Sequence, residues 1–491
     1  MPSLRQSLAQ RDVIEWRIIA QNQGLLLDDV GDGDMLTALV EQMLRPEHVK
    51  DVWEDLAEEA REALRQLAAL PDGMPVPTFQ RKFGELRKIG PGRLRSEQPW
   101  KSPTGPGEIL WHWGWITRGF QKRKEGVIEL VSIPDDLLPL LPLGELSKNA
   151  VPPLPKPWPQ PAASRALGEL LLDDLGTLLA YVQNHQVWLR SQDRWRLKDL
   201  QALAPRLRLS NIRKQPLEAG GPLHLLFFTA KKLGLLAVRN RQQQFGKALR
   251  PWLEQSRAGQ MSSLFRAWYT ADDWNDLCLT PGLRCLEGAW RNDPVLARST
   301  LLTQLERVEP GQWFALDDFI AMMYEHLPDF QRPSGIYDTW YIQNRAGEFL
   351  RGFEHWPAVE GRLIRYIWQG PLFWLGVVAL DERAELWSLT RQGANMLQGI
   401  VPSETASGPV LTVHENYVIT LSPHIGLWDR LRVALFAFWQ SSEPEFSYLI
   451  TKRGVQRAHR HGVSARRILD FLERASDGHV PDNIRKALLR K

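Results

Sequence analysis

The chain has 491 residues, too many for one hydrophobic core, and its 43% hydrophobic and 24% charged residues are those of a folded globular protein, not a disordered one. No apolar run approaches the ~20 residues that span a bilayer, and the opening MPSLRQSLAQRDVIEW has no signal-peptide core, so a cytoplasmic location without membrane contact is expected. The net charge is only +4, but its distribution is uneven: 11 Lys/Arg against 4 Asp/Glu over 81–126, 15 against 4 over 186–260 and 11 against 4 over 452–491, with 14 against 23 over 261–451. Basic blocks on that scale favour a polyanion as partner.

The acidic start, with 7 Lys/Arg against 15 Asp/Glu over 1–80, leads into a first module. Its helices are EDLAEEAREALRQLAAL, TFQRKFGELR after a PDGMPVP connector, and GEILWHWGWI; the turn QKRKEG and the strand VIELVSI follow. Residues 1–145 form this N-terminal domain. A linker over 146–165 contains six prolines between Pro152 and Pro161, which predicts an extended, stiff connector that does not pack. A second module over 166–270 runs helix GELLLDDLGTLLAYV, connector VWLRSQDRW, helices LKDLQALAPRL and GPLHLLFFTAKK, then GLLAV, the turn RNRQQQ and FGKAL.

A third module over 271–400 runs VLARSTLLTQLERV, a tight PGQW, ALDDFIAMMYEHL, an insert, VEGRLIRYIWQG, and two strands about the turn DERAE. Three helices followed by a two-stranded hairpin with a polar tip is the winged helix-turn-helix order. It occurs three times at low residue identity, so it is repeated architecture and not a sequence repeat. A small α/β domain over 401–491 completes a mainly α, α+β chain.

In a winged helix the third helix enters the major groove and the hairpin tip meets phosphates. The first hairpin offers Arg118, Lys122, Arg123 and Lys124. The second module offers Lys231 and Lys232 at the end of its third helix, Arg239 and Arg241 at the tip, and Lys247 and Arg250 beyond. The third hairpin, DERAE, carries three acids and one arginine and would repel phosphate; support or protein contact is expected of it. In the last segment Arg453, Arg457, Arg460, Arg466 and Arg467 are candidates, helical spacing placing the first three on one side.

Other signals point away from chemistry. There is no P-loop, no nucleophile elbow and no zincin motif. Carboxylate pairs at Asp135–Asp136, Asp173–Asp174 and Asp317–Asp318 are expected at helix starts or acidic turns. Cys278 and Cys285 are the only cysteines; two exclude a disulfide scaffold, their spacing fits no common zinc pattern, and buried thiols are expected. His459 and His461 do not share a helix face, so no metal site is expected there. The 21 tryptophans, against 8 tyrosines, are expected as core fillers, with WHWGW as the stacking alternative. No catalysis, cofactor or metal is expected.

The last segment carries a further pattern: VLTVHENYVITLSPH, then WDRLRVALFAFW, then FSYLITKRGVQRAHRHGVSARRILDFLERASDGHVPDNIRKAL, with Tyr417, Thr451, Ala458, Gly462, Ile468, Leu469, Leu472, Pro481 and Ile484 at its key positions. It resembles the N-terminal domain of XPB/Ssl2-type helicases. FGELRKIGPGRL, QPWKSPTGPGEILWHWGWI and VEGRLIRYIWQGPLFWLGVVAL resemble bacterial helicase-associated proteins that place winged helices ahead of that domain. The family resemblance implies DNA binding, duplex or forked, with nucleoid association, and recruitment or regulation of a separate helicase ATPase. A related domain on a TFIIH subunit docks the motor by pairing with it, so a protein–protein adaptor without DNA contact is the competing implication; apart from the resemblance, the remote alternative is an unrecognised enzyme in a Trp-lined cleft. The motor is absent here, so no helicase activity is implied. The relatives continue into further strands, which implies an abbreviated last domain.

Overall fold

The computed structural model describes residues 1–25, 32–123, 126–143, 152–191, 194–209, 219–403, 409–423 and 425–489. The protein is helix-rich α+β with small antiparallel sheets. Among the described residues no helix is long and apolar enough to cross a membrane. The chain divides into two compact units, Met1–Pro153 with Arg332–Thr339, and Leu154–Gln331 with Trp340–Lys491.

The first unit opens with four helices, α1 (Leu4–Leu8), α2 (Val13–Asn22), α3 (Asp32–Met43) and α4 (Pro46–Asp55). Helix α5 (Glu58–Ala68) follows, burying Ala60, Ala63, Leu64 and Leu67, a stripe at helical spacing that faces one core. Next come β1 (Met74–Pro75), α6 (Val76–Phe83), α7 (Pro91–Glu97), α8 (Pro106–His112), and the hairpin β2 (Thr117–Arg123) and β3 (Gly126–Ser132). Helix α6 stops at Gly84, whose φ of 91° suits glycine. The sheet order is β1-β3-β2, with Met74 opposite Val131.

Helix α8 turns inward: Gly107, Glu108, Leu110 and His112 are buried. The Glu108 carboxylate accepts two bonds from Arg87, from Nε at 2.7 Å and Nη2 at 2.7 Å, and one from the Thr104 N–H at 2.8 Å. Burial alone would raise this carboxyl, but the Arg87 and Thr104 bonds outweigh it and hold it below the usual range. Glu108→Ala leaves the Arg87 guanidinium without its anion and is expected to destabilise the first unit by about 2–4 kcal/mol. Urea unfolding of the full chain checks this; a loss below about 1 kcal/mol would show the pair to be dispensable.

In the second unit β4 (Ser164–Arg165) precedes α9 (Gly168–Asn184), β5 (Leu189–Ser191), β6 (Arg194–Trp195), α10 (Leu197–Leu203), α11 (Pro222–Lys232) and the hairpin β7 (Leu236–Arg239) and β8 (Gln242–Phe245). Asn240 and Arg241, with φ of 51° and 60°, make its two-residue turn, the geometry that matches strand twist. Helices α12 (Leu249–Leu253), α13 (Arg257–Tyr269) and α14 (Asp276–Leu279) lead through β9 (Arg284–Cys285) to α15 (Pro294–Leu305), β10 (Trp313–Ala315), α16 (Leu316–His326) and β11 (Ile342–Gln343). Then come α17 (Arg362–Ile367), flanked on both sides by π-helical turns, the hairpin β12 (Val378–Asp381) and β13 (Leu386–Leu389), and α18 (Arg391–Gln398).

The repeated order extends to strand pairing. In each of the three segments the chain between the first and second helices pairs with the last strand: β1 with β3, β10 with β13, and Val187–Leu189 with β8 through Gln243 N–H to Val187 O and Leu189 N–H to Arg241 O, both 2.9 Å.

The proline-rich segment departs from expectation. From Leu154 onward it packs on the third segment's sheet, whose order is β10-β13-β12-β4. The Trp158 N–H donates to Trp313 O at 2.7 Å on one edge, and β4 pairs with β12 on the other. Proline excludes internal hydrogen bonding, and here that leaves the extended chain free to satisfy open sheet edges.

Two further expectations are corrected. Asp173 and Asp174 lie in the middle of α9 and are buried: Asp173 binds Arg208 and Arg257, and Asp174 accepts the N–H groups of Arg208 and Leu209 at 2.7 and 3.1 Å. Cys278 and Cys285 are joined in a disulfide, with Cα atoms 5.3 Å apart, because β9 turns the chain back on α14. Most tryptophans fill cores as expected, with Trp115, Trp268, Trp274, Trp356, Trp368 and Trp387 fully buried, while Trp158 and Trp188 are exposed.

The last segment is β14 (Leu411–Val413), β15 (Val418–Leu421), α19 (Leu427–Phe436), β16 (Ala437–Ser441), β17 (Ser447–Ile450), α20 (Lys452–Arg460), α21 (Ala465–Ala475) and α22 (Asp482–Leu489), with strand order β14-β15-β17-β16. Helix α19 lies against α9, so closely that a Cβ on Gly176 would sit 2.6 Å from Leu427. Arg430, 1% exposed, crosses this junction to the Asp173 carbonyl at 2.6 Å and stacks on Phe446 at 3.5 Å.

Candidate nucleic-acid interface

The second segment holds an open cleft of ≈ 910 Å³ between α11 and the β7–β8 hairpin. Its walls are His224, Phe227 and Phe228 from the helix, Leu236 and Val238 from the strand, with Lys231 and Arg241 at the rim; among the described residues no carboxylate lines it. The helix buries Leu223, Leu225, Leu226, Thr229 and Ala230, and this leaves the two phenylalanines and His224 on the face turned to the cleft. His224 accepts the Gly220 N–H through Nδ1 at 2.9 Å, which fixes Nε2 as the protonated nitrogen. Its ring lies 4.8 Å from Trp274, and burial there lowers its pKa.

Four cations gather at this end. Arg239 and Arg241 are exposed at the tip, Arg241 reaching the Arg190 carbonyl at 3.2 Å, and Arg190 and Lys231 are exposed nearby on β5 and α11. Lys232 differs: its ammonium lies 2.7 Å from Asp273 and 3.9 Å from Asp272, so its charge is largely neutralised. Lys247 and Arg250 face another groove of ≈ 360 Å³, shared with Trp428, Leu431 and Arg432 of α19, and Arg250 pairs with Glu254 at 3.3 Å.

On the first hairpin Lys122 is exposed, beside Phe120 at 76% and Val127 at 68% exposure. The Arg123 side chain and Lys124 lie outside the described residues. Arg118 is a correction: its side chain is 13% exposed, donates to the Leu86 carbonyl at 2.9 Å, and lies 5.0 Å over Trp111. Burial lowers its pKa, with Glu129 opposing. It closes the base of the hairpin and does not reach solvent for a phosphate.

In the last segment Arg453, Arg460, Arg466 and Arg467 are exposed. Arg457 is the second correction. It turns under its helix and donates to the carbonyls of Leu435 at 2.9 Å, Ala434 at 2.9 Å and Ala437 at 3.2 Å. The unsatisfied carbonyls at the end of α19 draw it in, a demand that spacing along α20 does not reveal.

In the third segment the hairpin tip is acidic, and the helix before it leaves one exposed cation among the described residues, Arg362. That helix buries Leu363, Ile364, Tyr366 and Ile367, Arg365 pairs with Asp317, and the acid that opens the DERAE turn ties the turn together: Asp381 accepts the N–H groups of Glu385 at 2.8 Å and Leu386 at 2.7 Å. Among the described residues no group of three His, Cys, Asp or Glu side chains is placed to hold a metal ion.

Sequence reasoning found the rim cations and missed the aromatic floor, because FF inside LHLLFFTA reads as core; only the Leu–Leu spacing on the opposite face signals that both rings cannot be buried together. No protein-family model matches the chain, and no curated protein matches it.

Proposed function

We propose that the three repeated segments are tandem winged helices and that the protein binds DNA through the second of them. The observation that carries this is the cleft between α11 and the β7–β8 hairpin: aromatic rings on the floor, Lys231 and Arg241 on the rim, Arg239 and Arg190 beside them, and no acid among the described lining residues. Cations at a hairpin tip neutralise phosphates. Phe227 and Phe228 supply stacking faces for unpaired bases, which favours forked DNA over intact duplex. Lys122 with Phe120 on the first hairpin, and Arg453, Arg460, Arg466 and Arg467 on the last segment, are secondary phosphate contacts.

The last segment resembles a helicase N-terminal domain, and its strand–strand–helix–strand–strand order followed by basic helices is compatible with docking a separate helicase ATPase. The adaptor reading draws on the third segment, whose acidic tip and covered sheet edges fit structural support better than phosphate contact.

The test is fluorescence anisotropy with forked, duplex and single-stranded DNA across a salt series. Each phosphate neutralised on a duplex contributes a log–log slope of about −0.9, so Arg239→Ala with Arg241→Ala should flatten the slope by about 2 and weaken binding roughly 10- to 100-fold. Absence of binding to all three DNAs at low salt, or an unchanged slope in the double variant, overturns the assignment.

A further inference from the structure

A second cavity, ≈ 130 Å³, lies where α9 meets the last segment. By liquid volume it holds about four waters, room for one phosphate group and too little for a nucleoside. Its lining includes Tyr181, Asn184, His185, Arg206, Tyr448 and Arg457, and among the described residues no carboxylate lines it.

The polar inventory of the walls is unbalanced toward donors. Arg206 is held between the Tyr181 and Trp439 rings, 5.2 Å from each, and its guanidinium donates no hydrogen bond to any described residue. Arg457 spends Nε and Nη2 on the α19 carbonyls and leaves Nη1 without an acceptor among them. The Tyr448 oxygen accepts from Arg430 Nε at 3.3 Å, which leaves its hydrogen to give. Thr177 Oγ1 is occupied, accepting from Arg430 and donating to the Asp173 carbonyl, whereas Asn184 Nδ2 donates to the Ala434 carbonyl at 2.9 Å and its Oδ1 is buried without a partner, the one such side-chain acceptor among the described lining residues. Tyr181 donates to Asp199 at 3.1 Å, behind the ring and outside the lining. His185 stacks on Tyr181 at 4.1 Å and donates through Nδ1 to the Tyr181 carbonyl at 3.0 Å.

We propose that this cavity binds a single phosphate group, as hydrogen phosphate or as the terminal monoester of a nucleic-acid strand. Two guanidinium groups and a phenol supply donors to a tetrahedral oxyanion, and a singly protonated phosphate carries the one O–H that Asn184 Oδ1 lacks. Aromatic faces hold Arg206 without neutralising it, so its charge stays available. The site stands apart from the hairpin cleft and does not depend on the DNA-binding reading.

Isothermal titration of the full chain with inorganic phosphate, at constant ionic strength with chloride as control, tests it. Saturable phosphate binding above the chloride control is expected. Arg206→Gln should weaken it by at least about tenfold, and Tyr448→Phe, which keeps the ring and loses the donor, by about threefold or more. Circular dichroism and the melting temperature establish that each variant folds; if Arg206→Gln does not, Tyr448→Phe decides.

A 5′-phosphorylated oligonucleotide compared with its 5′-hydroxyl form separates the sources. Tighter binding of the phosphorylated end that disappears in Arg206→Gln assigns a strand terminus, and phosphate binding without that preference assigns the free anion. Arg239→Ala with Arg241→Ala should leave phosphate binding unchanged, which separates this site from the cleft. No phosphate binding above chloride, or equal binding in wild type and both variants, overturns the proposal.

Discussion

Replacing Arg298 by Met should cost the second unit about 3–5 kcal/mol, the scale for stripping one partner from a buried ion pair. Arg298 is fully buried on α15. Its Nε donates to Asp276 at 2.6 Å, Nη1 to the carbonyls of Trp268, Tyr269 and Ala271 at 2.7, 2.9 and 2.7 Å, and Nη2 to the Trp274 carbonyl. One side chain thus closes the end of α13, the loop beyond it and the start of α14. Asp276 also accepts the indole N–H groups of Trp268 at 3.2 Å and Trp274 at 3.0 Å, and burial raises its carboxyl even with Arg298 beside it.

Met keeps most of the volume and removes every donor, leaving the Tyr269, Ala271 and Trp274 carbonyls short of a donor and the Asp276 carboxylate with its indole partners but no counter-charge. Urea unfolding followed by tryptophan emission reads the loss, since Trp268 and Trp274 report directly on the site. Adding Asp276→Asn should recover part of it, because the unpaired charge is gone. A single-variant loss below about 1 kcal/mol would show that the arginine is a passenger.

Asp174 should make stability fall as pH rises through the mildly acidic range. Burial pushes its carboxyl up to about 7, against the pull of the Arg208 and Leu209 N–H groups and of Arg430. The folded state therefore keeps a proton that the unfolded chain releases near pH 4. The group costs nothing below that pH, its cost accumulates between about pH 4 and pH 7, and it is constant above, amounting to roughly 2–4 kcal/mol.

Asp174→Asn removes the titration. It should also lower stability at pH 5 by about 1 kcal/mol, because an amide offers one acceptor oxygen where the carboxyl offers two to the backbone. The decisive readout is the slope: the wild type should lose stability relative to Asp174→Asn between pH 5 and 8. Parallel profiles would mean that the carboxylate is already ionised at pH 5.

The helices of the three modules and the two later hairpins were legible because their apolar spacing and turn residues are local. The short strands were not. Met74–Pro75 and Trp313–Ala315 are two or three residues long and carry no alternation, so their pairing with a distant strand leaves no mark in the sequence. Charge along the sequence marked basic segments without saying which of their side chains reach solvent. Arg118 and Arg457 read as exposed cations, yet each is drawn inward by carbonyls contributed from elsewhere in the chain. Arg206, central to the phosphate proposal, drew no notice because neither Tyr181 nor Trp439 lies near it in sequence.

The proline-rich strap has a consequence for how the chain is made. Residues 158 and 164–165 wait for partners at 313 and 380–381, which leave the ribosome roughly 150 and more than 200 residues later. The whole of the second module is synthesised inside that interval, so its residues are nested in sequence within the third segment's sheet and are complete before the strap can close. A chain interrupted before residue 313 would carry the second module with the α19 face of α9 still uncovered and the strap unpartnered, leaving translation itself to set the order in which the unit closes.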